Sequence, residues 1–463
     1  MSPAAKPWVL LLAPGSAVTT SPPLGLLSLA ASLERAGFDA RVSEPAVDGS
    51  RVEELLASKP LLCGISARTS SFPELVDCVA LLRRLVPEVP IVIGGVHVSA
   101  LPEEALRESG ADLAVRGEGE EALVEIAQRL AQGEPVPALA DIPRILVRGG
   151  DEIRLGPEPV APLDLNALPP PAWHHVDFDR YSARPWQLVR RGRRVAPIMT
   201  SRGCPFRCVF CATHIVCGRK LRVRDPEAVA DEVELLVRTH GVDEIQIADD
   251  NFNASEDHAA AVCEALLRRG LRVPWKTPNG VRVDRLSDEL LRLMVASGCY
   301  SLGFGIESGD PRILENARKK LDLGVASENI ARAARLGISC FGYFVVGLPG
   351  DTLKSVRLSI RFAQHNALDH VHVAPMVPYP GSEIYDQLPA DHALRSWSSY
   401  THLTAFDTPT LSAAQIRRAV REFYLRFYAH PRRGVGLIWA LRHAPWRTVA
   451  AVARGYLGPA GQR

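Results

Sequence analysis

Short apolar runs alternate with segments of helical period through most of the 463 residues, and that alternation restricts the chain to α/β architectures. In the first 132 residues the apolar runs fall at 8–13, 40–44, 61–67, 91–96 and 113–116, with amphipathic segments at 24–36, 72–85, 103–109 and 120–130. Strands separated by helices pair in parallel, and a parallel sheet needs both faces covered. The pattern therefore predicts an open, doubly wound sheet whose ligand sits beyond the C-terminal strand ends. Residues 133–171 break it. Nine prolines in 39 residues, ending in Pro169-Pro170-Pro171, predict a stiff, extended connection. A second alternation fills 195–390, with strands expected at 195–201, 244–249, 273–277, 300–306, 340–346 and 370–376. Six βα units predict a partial (β/α) barrel, two units short of the eight-fold form. After 390 the strand signal ends, and Arg-rich amphipathic segments at 412–428, 436–442 and 446–456 predict a helical tail. The expected plan is a first domain at 1–132, a connecting segment at 133–194, a barrel at 195–390 and a helical region at 391–463.

Composition narrows the function. With 54 basic and 52 acidic residues the net charge is +2, which leaves no electrostatic footprint for nucleic acid. No apolar run approaches the roughly 20 residues of a membrane span, and the N-terminus lacks the pattern of a cleaved leader. A cytoplasmic location without membrane association is expected. The first domain is Rossmann- or flavodoxin-like, yet the loop after its first strand reads Pro14-Gly15-Ser16-Ala17. Without a GxGxxG there, a dinucleotide is not expected.

Three of the nine cysteines, Cys204, Cys208 and Cys211, stand at C-x3-C-x2-C immediately after the first barrel strand. Barrel folds place active sites on such loops. Three thiolates within eight residues repel one another unless they share a cation. Two centres suit them. An Fe–S cluster normally has four protein ligands, so three would leave one iron open. Zinc is the alternative, with His214 completing a Cys3His set or Cys217 supplying a fourth thiolate.

The C-x3-C-x2-C motif, with Phe210 before its last cysteine and six βα units around it, resembles the radical S-adenosylmethionine (SAM) enzymes. The resemblance implies a [4Fe–4S] cluster on Cys204, Cys208 and Cys211 whose open iron chelates SAM. It also implies SAM contacts from Phe210, from Asp250 toward the methionine ammonium, and from Glu307 and Ser308 toward the ribose. Residues 342–350, with Gly347 and Pro349, resemble the family's glycine-rich motif, which implies contacts beside the adenine. Carboxylates suit an ammonium and a diol, and glycine lets backbone approach a flat ring. Residues 22–27, 64–69, 94–99 and 116–120 resemble the cobalamin-binding domain of one large radical SAM subfamily. This implies cobalamin contacts from Ser66, Arg68, Thr69, Gly94, Gly95, His97 and Glu118. The D-x-H-x-x-G motif that ligates cobalt in other cobalamin domains is absent. Cobalt without a protein histidine is then expected, with Ser66, Arg68 and Thr69, after the third strand, under the corrin ring, and with His97 either lining the nucleotide-tail pocket or capping a helix.

The expected activity is a cobalamin-dependent radical SAM methyltransferase, moving a methyl group from SAM through methylcobalamin to an unactivated carbon of a small-molecule or peptide natural product. Flavodoxin or ferredoxin is the expected electron donor. The protein's own contribution is positioning and exclusion of water. A cyclase or rearrangement enzyme with the same cofactors is one alternative, because domain order does not fix reaction type. A zinc-stabilised, non-catalytic binding protein is the alternative of another class.

Overall fold

The computed structural model describes residues 6–15, 21–150, 152–182, 190–388 and 396–440. The expected helix at 446–456, with Trp446, lies outside them. Two compact units form, and neither is one continuous stretch. The first comprises Met1–Arg180, Ala212–Gly218 and Leu388–Tyr400, the second Tyr181–Cys211, Arg219–Gln387 and Thr401–Arg463.

The first unit is built on a seven-stranded sheet. Its strands are β1 (Trp8–Leu12), β2 (Asp39–Ser43), β3 (Leu62–Ser66), β4 (Ile91–Gly94), β5 (Leu113–Val115), β6 (Ile145–Gly149) and β7 (Glu152–Leu155), in the order β2-β1-β3-β4-β5-β6-β7. The first five pair in parallel. β1 reads Trp-Val-Leu-Leu-Leu and is buried throughout, as a central strand covered on both faces must be. Helices α1 (Leu24–Arg35), α2 (Phe72–Leu85), α3 (Val96–Ala100), α4 (Pro102–Ser109) and α5 (Glu120–Ala131) fill the crossovers. Ser28 Oγ of α1 donates to Glu120 Oε1 of α5 at 2.8 Å, a buried bond between neighbouring helices.

One expectation fails here. Within the segment read as an extended connection, residues 145–155 form an antiparallel hairpin that adds β6 and β7 to the sheet. Its strand signal is short, Ile145-Leu146-Val147, and the prolines around it hide the alternation. Gly150, at φ +68, makes the turn.

The second unit has six parallel strands, β8 (Val195–Ile198), β9 (Glu244–Ile247), β10 (Trp275–Val281), β11 (Cys299–Glu307), β12 (Ser339–Val346) and β13 (His370–Pro375). They pair in strict sequence order, β13-β12-β11-β10-β9-β8, as consecutive βα units require. Crossover helices include α6 (Pro226–His240), α7 (Glu256–Arg268), α8 (Asp288–Ala296), α9 (Leu323–Arg335) and α10 (Leu353–His365). α6 shows why they start and stop where they do. Asp225 accepts from Glu227 N at the cap, Pro226 opens the first turn, and Gly241 leaves in the left-handed region.

Six strands leave β13 as an edge, and the tail covers it. α11 (Ala413–Tyr428) places the Tyr424 hydroxyl 2.9 Å from Val373 N and the Tyr428 hydroxyl 3.3 Å from Val371 N, occupying edge donors that would otherwise invite another strand. Phe423 packs on Phe344, ring centroids 4.9 Å apart. Along α11, Phe423, Tyr424 and Tyr428 are thus taken up in packing on β12 and β13.

Candidate functional site

The cysteine loop of the second unit is fixed from below by one carboxylate. Asp249, just past β9 and 1% exposed, accepts from Thr200 N and Thr200 Oγ1 at 2.6 Å each and from Ser201 Oγ at 2.7 Å. Burial raises its pKa, and these donors offset part of that rise. Its neighbour Asp250 accepts from Gly203 N at 3.2 Å, one residue before the first cysteine. The doublet therefore divides: Asp249 holds the strand end and Asp250 meets the loop.

Along the loop, Cys204, Cys208 and Cys211 are all half-buried. Backbone bonds hold its shape: Cys211 N to Cys208 O, Val209 N to Ala317 O, and Ile384 N to Val209 O, each 3.2 Å. Val209 anchors a small core with Ile313, Ala317, Leu348, Met376 and Ile384, and Phe210 packs against it. The Arg282 guanidinium stacks 4.4 Å over the Phe206 ring. Burial pushes the Cys208 thiol up to about 11 and raises Cys204, so without a cation both stay protonated at neutral pH.

At the end of β11, Glu307 is buried and adopts φ +66, rare for a residue with a side chain. Its Oε1 accepts from Lys319 Nζ at 2.7 Å. Burial lowers the Lys319 pKa, but the Glu307 carboxylate and Cys208 together more than offset it and the ammonium is raised. Lys319 was not among the residues singled out from sequence, since Arg318-Lys319-Lys320 reads as an ordinary solvated charge run. Ser308 points inward, its hydroxyl 3.3 Å from Ser359 Oγ and accepting from Asp310 N. Gly347, at φ +99, sits in the left-handed region, and a Cβ there would also press on the end of the Ile416 side chain of α11 at 2.9 Å. The Pro349 carbonyl accepts from Asn316 Nδ2 at 3.0 Å.

A set of rings on β12 and β13 also escaped the sequence reading. The Tyr343 hydroxyl donates to Pro278 O at 2.6 Å, and Gly303 is where that ring crosses, since a Cβ would lie 2.8 Å from the hydroxyl. His372 stands 6.0 Å from Tyr343 and 5.9 Å from His402, centroid to centroid. Burial, with His402 beside it, holds His372 down at about 4, so it is neutral at pH 7.

In the first unit, the residues singled out for cobalamin gather at the C-terminal ends of parallel strands. Ser66 ends β3, with Arg68 and Thr69 in the turn after it; Gly94 ends β4, followed by Gly95; Glu118 follows β5. Gly95, at φ +98, lies so close to the β3 end that a Cβ would sit 2.6 Å from Ala67 O. His97, on α3, is 1% exposed and neither ring nitrogen has a hydrogen-bond partner. It is clamped between Phe72 at 4.2 Å and Trp397 at 4.7 Å. Burial lowers its pKa to about 4.

An orphaned, neutral imidazole has a measurable consequence. His97→Phe keeps the ring and removes two unsatisfied nitrogens, so the cofactor-free chain should gain about 1–3 kcal/mol. The pH dependence follows from the lowered pKa. The stability His97 contributes by staying neutral is present above about 6.5 and lost as pH falls toward 4, because the unfolded chain takes up the proton first. Denaturant melts at pH 7 and pH 5 check both points, and a steeper acid loss in the Phe variant would contradict them.

The comparisons agree with this arrangement. The B12 binding domain model matches residues 13–127, and the radical SAM superfamily model matches residues 198–363. A cytidylyl-2-hydroxyethylphosphonate methyltransferase of Streptomyces wedmorensis is 32% identical over 412 residues, covering 78% of this chain and 77% of its own. An anaerobic magnesium-protoporphyrin IX monomethyl ester cyclase of Cereibacter sphaeroides is 27% identical over 446 residues, covering 94% of this chain and 70% of its own. Among solved structures, the radical SAM methyltransferase TsrM of Kitasatospora setae, with cobalamin and a [4Fe–4S] cluster bound, superposes with a TM-score of 0.73 at 20% identity, over 91% of this chain and 89% of that one. No helix among the described residues is long and apolar enough to cross a membrane. A cobalamin-type sheet, a six-stranded parallel barrel carrying C-x3-C-x2-C, and a methyltransferase relative matched over most of both chains lead to one assignment: the chain belongs to the cobalamin-dependent radical SAM enzymes, with cobalamin, a [4Fe–4S] cluster and SAM as its cofactors.

Proposed function

We propose that this enzyme methylates an unactivated carbon of a small-molecule or peptide acceptor. When bound, the cluster, SAM and cobalamin supply a radical able to open a C–H bond and the methyl group that replaces the hydrogen. Cys204, Cys208 and Cys211 hold the cluster. Three sulfur donors on one braced loop support that assignment, as do the cations Lys319 and Arg282, which lower the cost of thiolate at Cys208. Asp250 takes the SAM ammonium, and Glu307, already paired with Lys319, faces the ribose from the end of β11. Ser308, Gly347 and Pro349 shape that wall through backbone and packing, beside Phe210. Ser66, Arg68, Thr69, Gly94, Gly95, His97 and Glu118 cradle cobalamin, and the two free nitrogens of His97 are what its amides and nucleotide tail would satisfy. The acceptor lies against Tyr343, His372 and His402, rings that exclude water. Reduced flavodoxin or ferredoxin in the cytoplasm supplies the electrons.

The observation that carries this reading is the cysteine triad at the C-terminal end of the first barrel strand, in a chain whose first unit is a B12-type sheet. The test has two stages. Anaerobically purified protein loaded with cobalamin should hold about four iron and one cobalt per chain. Supplied with deuteromethyl-labelled SAM, a low-potential reductant and a panel of acceptors, it should release 5′-deoxyadenosine and a product carrying the label on carbon. A product that has lost hydrogen and gained no methyl would replace methylation with cyclisation, the reading favoured by the cyclase relative. Zinc alone, persisting after cluster reconstitution, would overturn both. The His97→Phe variant should bind cobalamin more weakly although its cofactor-free fold is more stable, and equal affinity would remove His97 from the cradle.

A further inference from the structure

We propose that Glu34, His174 and His175 form a zinc site that pins the connecting segment to α1. Glu34 is the penultimate residue of α1, and the two histidines stand on a short 3-10 turn, Trp173–His175. His175 Nε2 lies 2.8 Å and His174 Nε2 3.1 Å from the same atom, Glu34 Oε1. One ligand atom from each residue falls within 4.8 Å of the others, and the two imidazoles are 4.2 Å apart, centroid to centroid.

Both sides of the site are in place before any ion arrives. Pro169-Pro170-Pro171 fixes the backbone leading in, Ala172 N donates to Leu27 O at 3.0 Å, and Trp173 is 1% exposed. The Arg35 guanidinium also donates to Ala167 O. An ordinary histidine–carboxylate contact needs one imidazole. Here two neighbouring rings turn the same nitrogen toward one oxygen. A dication among them would meet two imidazole nitrogens and one carboxylate at once.

The donor set selects the ion. Two imidazoles with one carboxylate suit zinc, whereas magnesium and calcium favour all-oxygen shells. The His174 side chain is 61% exposed, which leaves the outer face open for water to complete the shell. α1 joins the parallel strands β1 and β2 and runs back along them, so its C-terminal end lies by the N-terminal ends of the strands, away from the C-terminal ends where Ser66 and Gly95 stand. The ion therefore takes no part in the chemistry and ties sequence-distant segments together. This inference does not depend on the proposed methyl transfer.

The experiment uses the full chain with cluster and cobalamin loaded, incubated with zinc chloride and passed over a chelating resin. Zinc, iron and cobalt are then measured together. Wild type should keep about one zinc per chain, and the His174→Ala/His175→Ala and Glu34→Gln variants none, with iron and cobalt unchanged. A Cys204→Ala/Cys208→Ala/Cys211→Ala chain should still keep its zinc. Chelator should lower the melting temperature of wild type and not that of the variants. Glu34→Gln preserves side-chain shape and hydrogen bonding, so it remains readable if the double variant folds poorly. Wild type without zinc, variants holding as much as wild type, or loss of zinc in the cysteine variant would each overturn the site. The first two leave a plain ion pair, and the third moves the ion to the cluster loop.

Discussion

Cys208→Ala should leave a folded, cobalamin-binding protein that holds no [4Fe–4S] cluster and cleaves no SAM above background. Changing residues that merely orient metal ligands commonly costs 10–100-fold, on the order of which a lost ligand is the larger effect, so activity should fall by more than about 100-fold. The fold should survive because the loop is held through backbone, by Val209 N on Ala317 O and Ile384 N on Val209 O, with Val209 in the core beneath. Iron per chain, visible absorbance and 5′-deoxyadenosine release check the first half. Cobalt per chain checks the second. Retention of about four iron would mean that another group, such as Cys217, supplies the third thiolate.

The second large effect is at Lys319. Its ammonium and the Glu307 carboxylate are both buried and 2.7 Å apart. Removing one partner of such a pair strands the other charge, at a cost of about 3–5 kcal/mol. Lys319→Met should therefore destabilise the β11 end by that amount, and Lys319→Met/Glu307→Gln should recover most of it. Because the lysine pKa is raised in the folded chain, the stabilisation is fully present below about 10.4 and lost only as pH rises through the folded value. Hydrogen exchange of the β11 amides at neutral pH reads the effect locally. A single variant costing less than about 1 kcal/mol would place the pair in solvent-like surroundings. The flanking residues Arg318 and Lys320 have φ of +51 and +49, so this turn is held in a sparsely populated conformation by what packs around it.

The parallel strands were legible because burial on both faces writes them as unbroken apolar runs, and Trp8–Leu12 is the plainest. The cysteine spacing was legible because few other structures need three thiols so close. Other features were hidden for physical reasons. The hairpin at 145–155 is short and set among prolines, so composition outweighed a three-residue strand signal. Asp249 and Asp250 are chemically identical in sequence, and only tertiary structure shows that one is spent holding Thr200 and Ser201. The Ser308 hydroxyl meets Ser359, fifty-one residues further on, a pairing that the sequence around either serine does not show. Lys319 depends on Glu307, twelve residues back across a turn, and His372 on rings about thirty residues away on either side, and no local pattern encodes either. Trp397, which closes over His97, is separated from it by 300 residues.

That separation bears on how the protein is made. The first unit draws on Ala212–Gly218 and Leu388–Tyr400, long after its own sheet has been synthesised. At ribosomal rates of about 5–20 residues per second, the 220 residues from position 180 to position 400 take roughly 10–40 s to emerge. Through that interval the nascent sheet carries Phe72 and His97 without their cover. A fragment ending in the proline-rich segment would lack Trp397 over His97. The completion of that cover is a late event in translation, and a truncation before residue 397 uncovers a part of the chain that was made first.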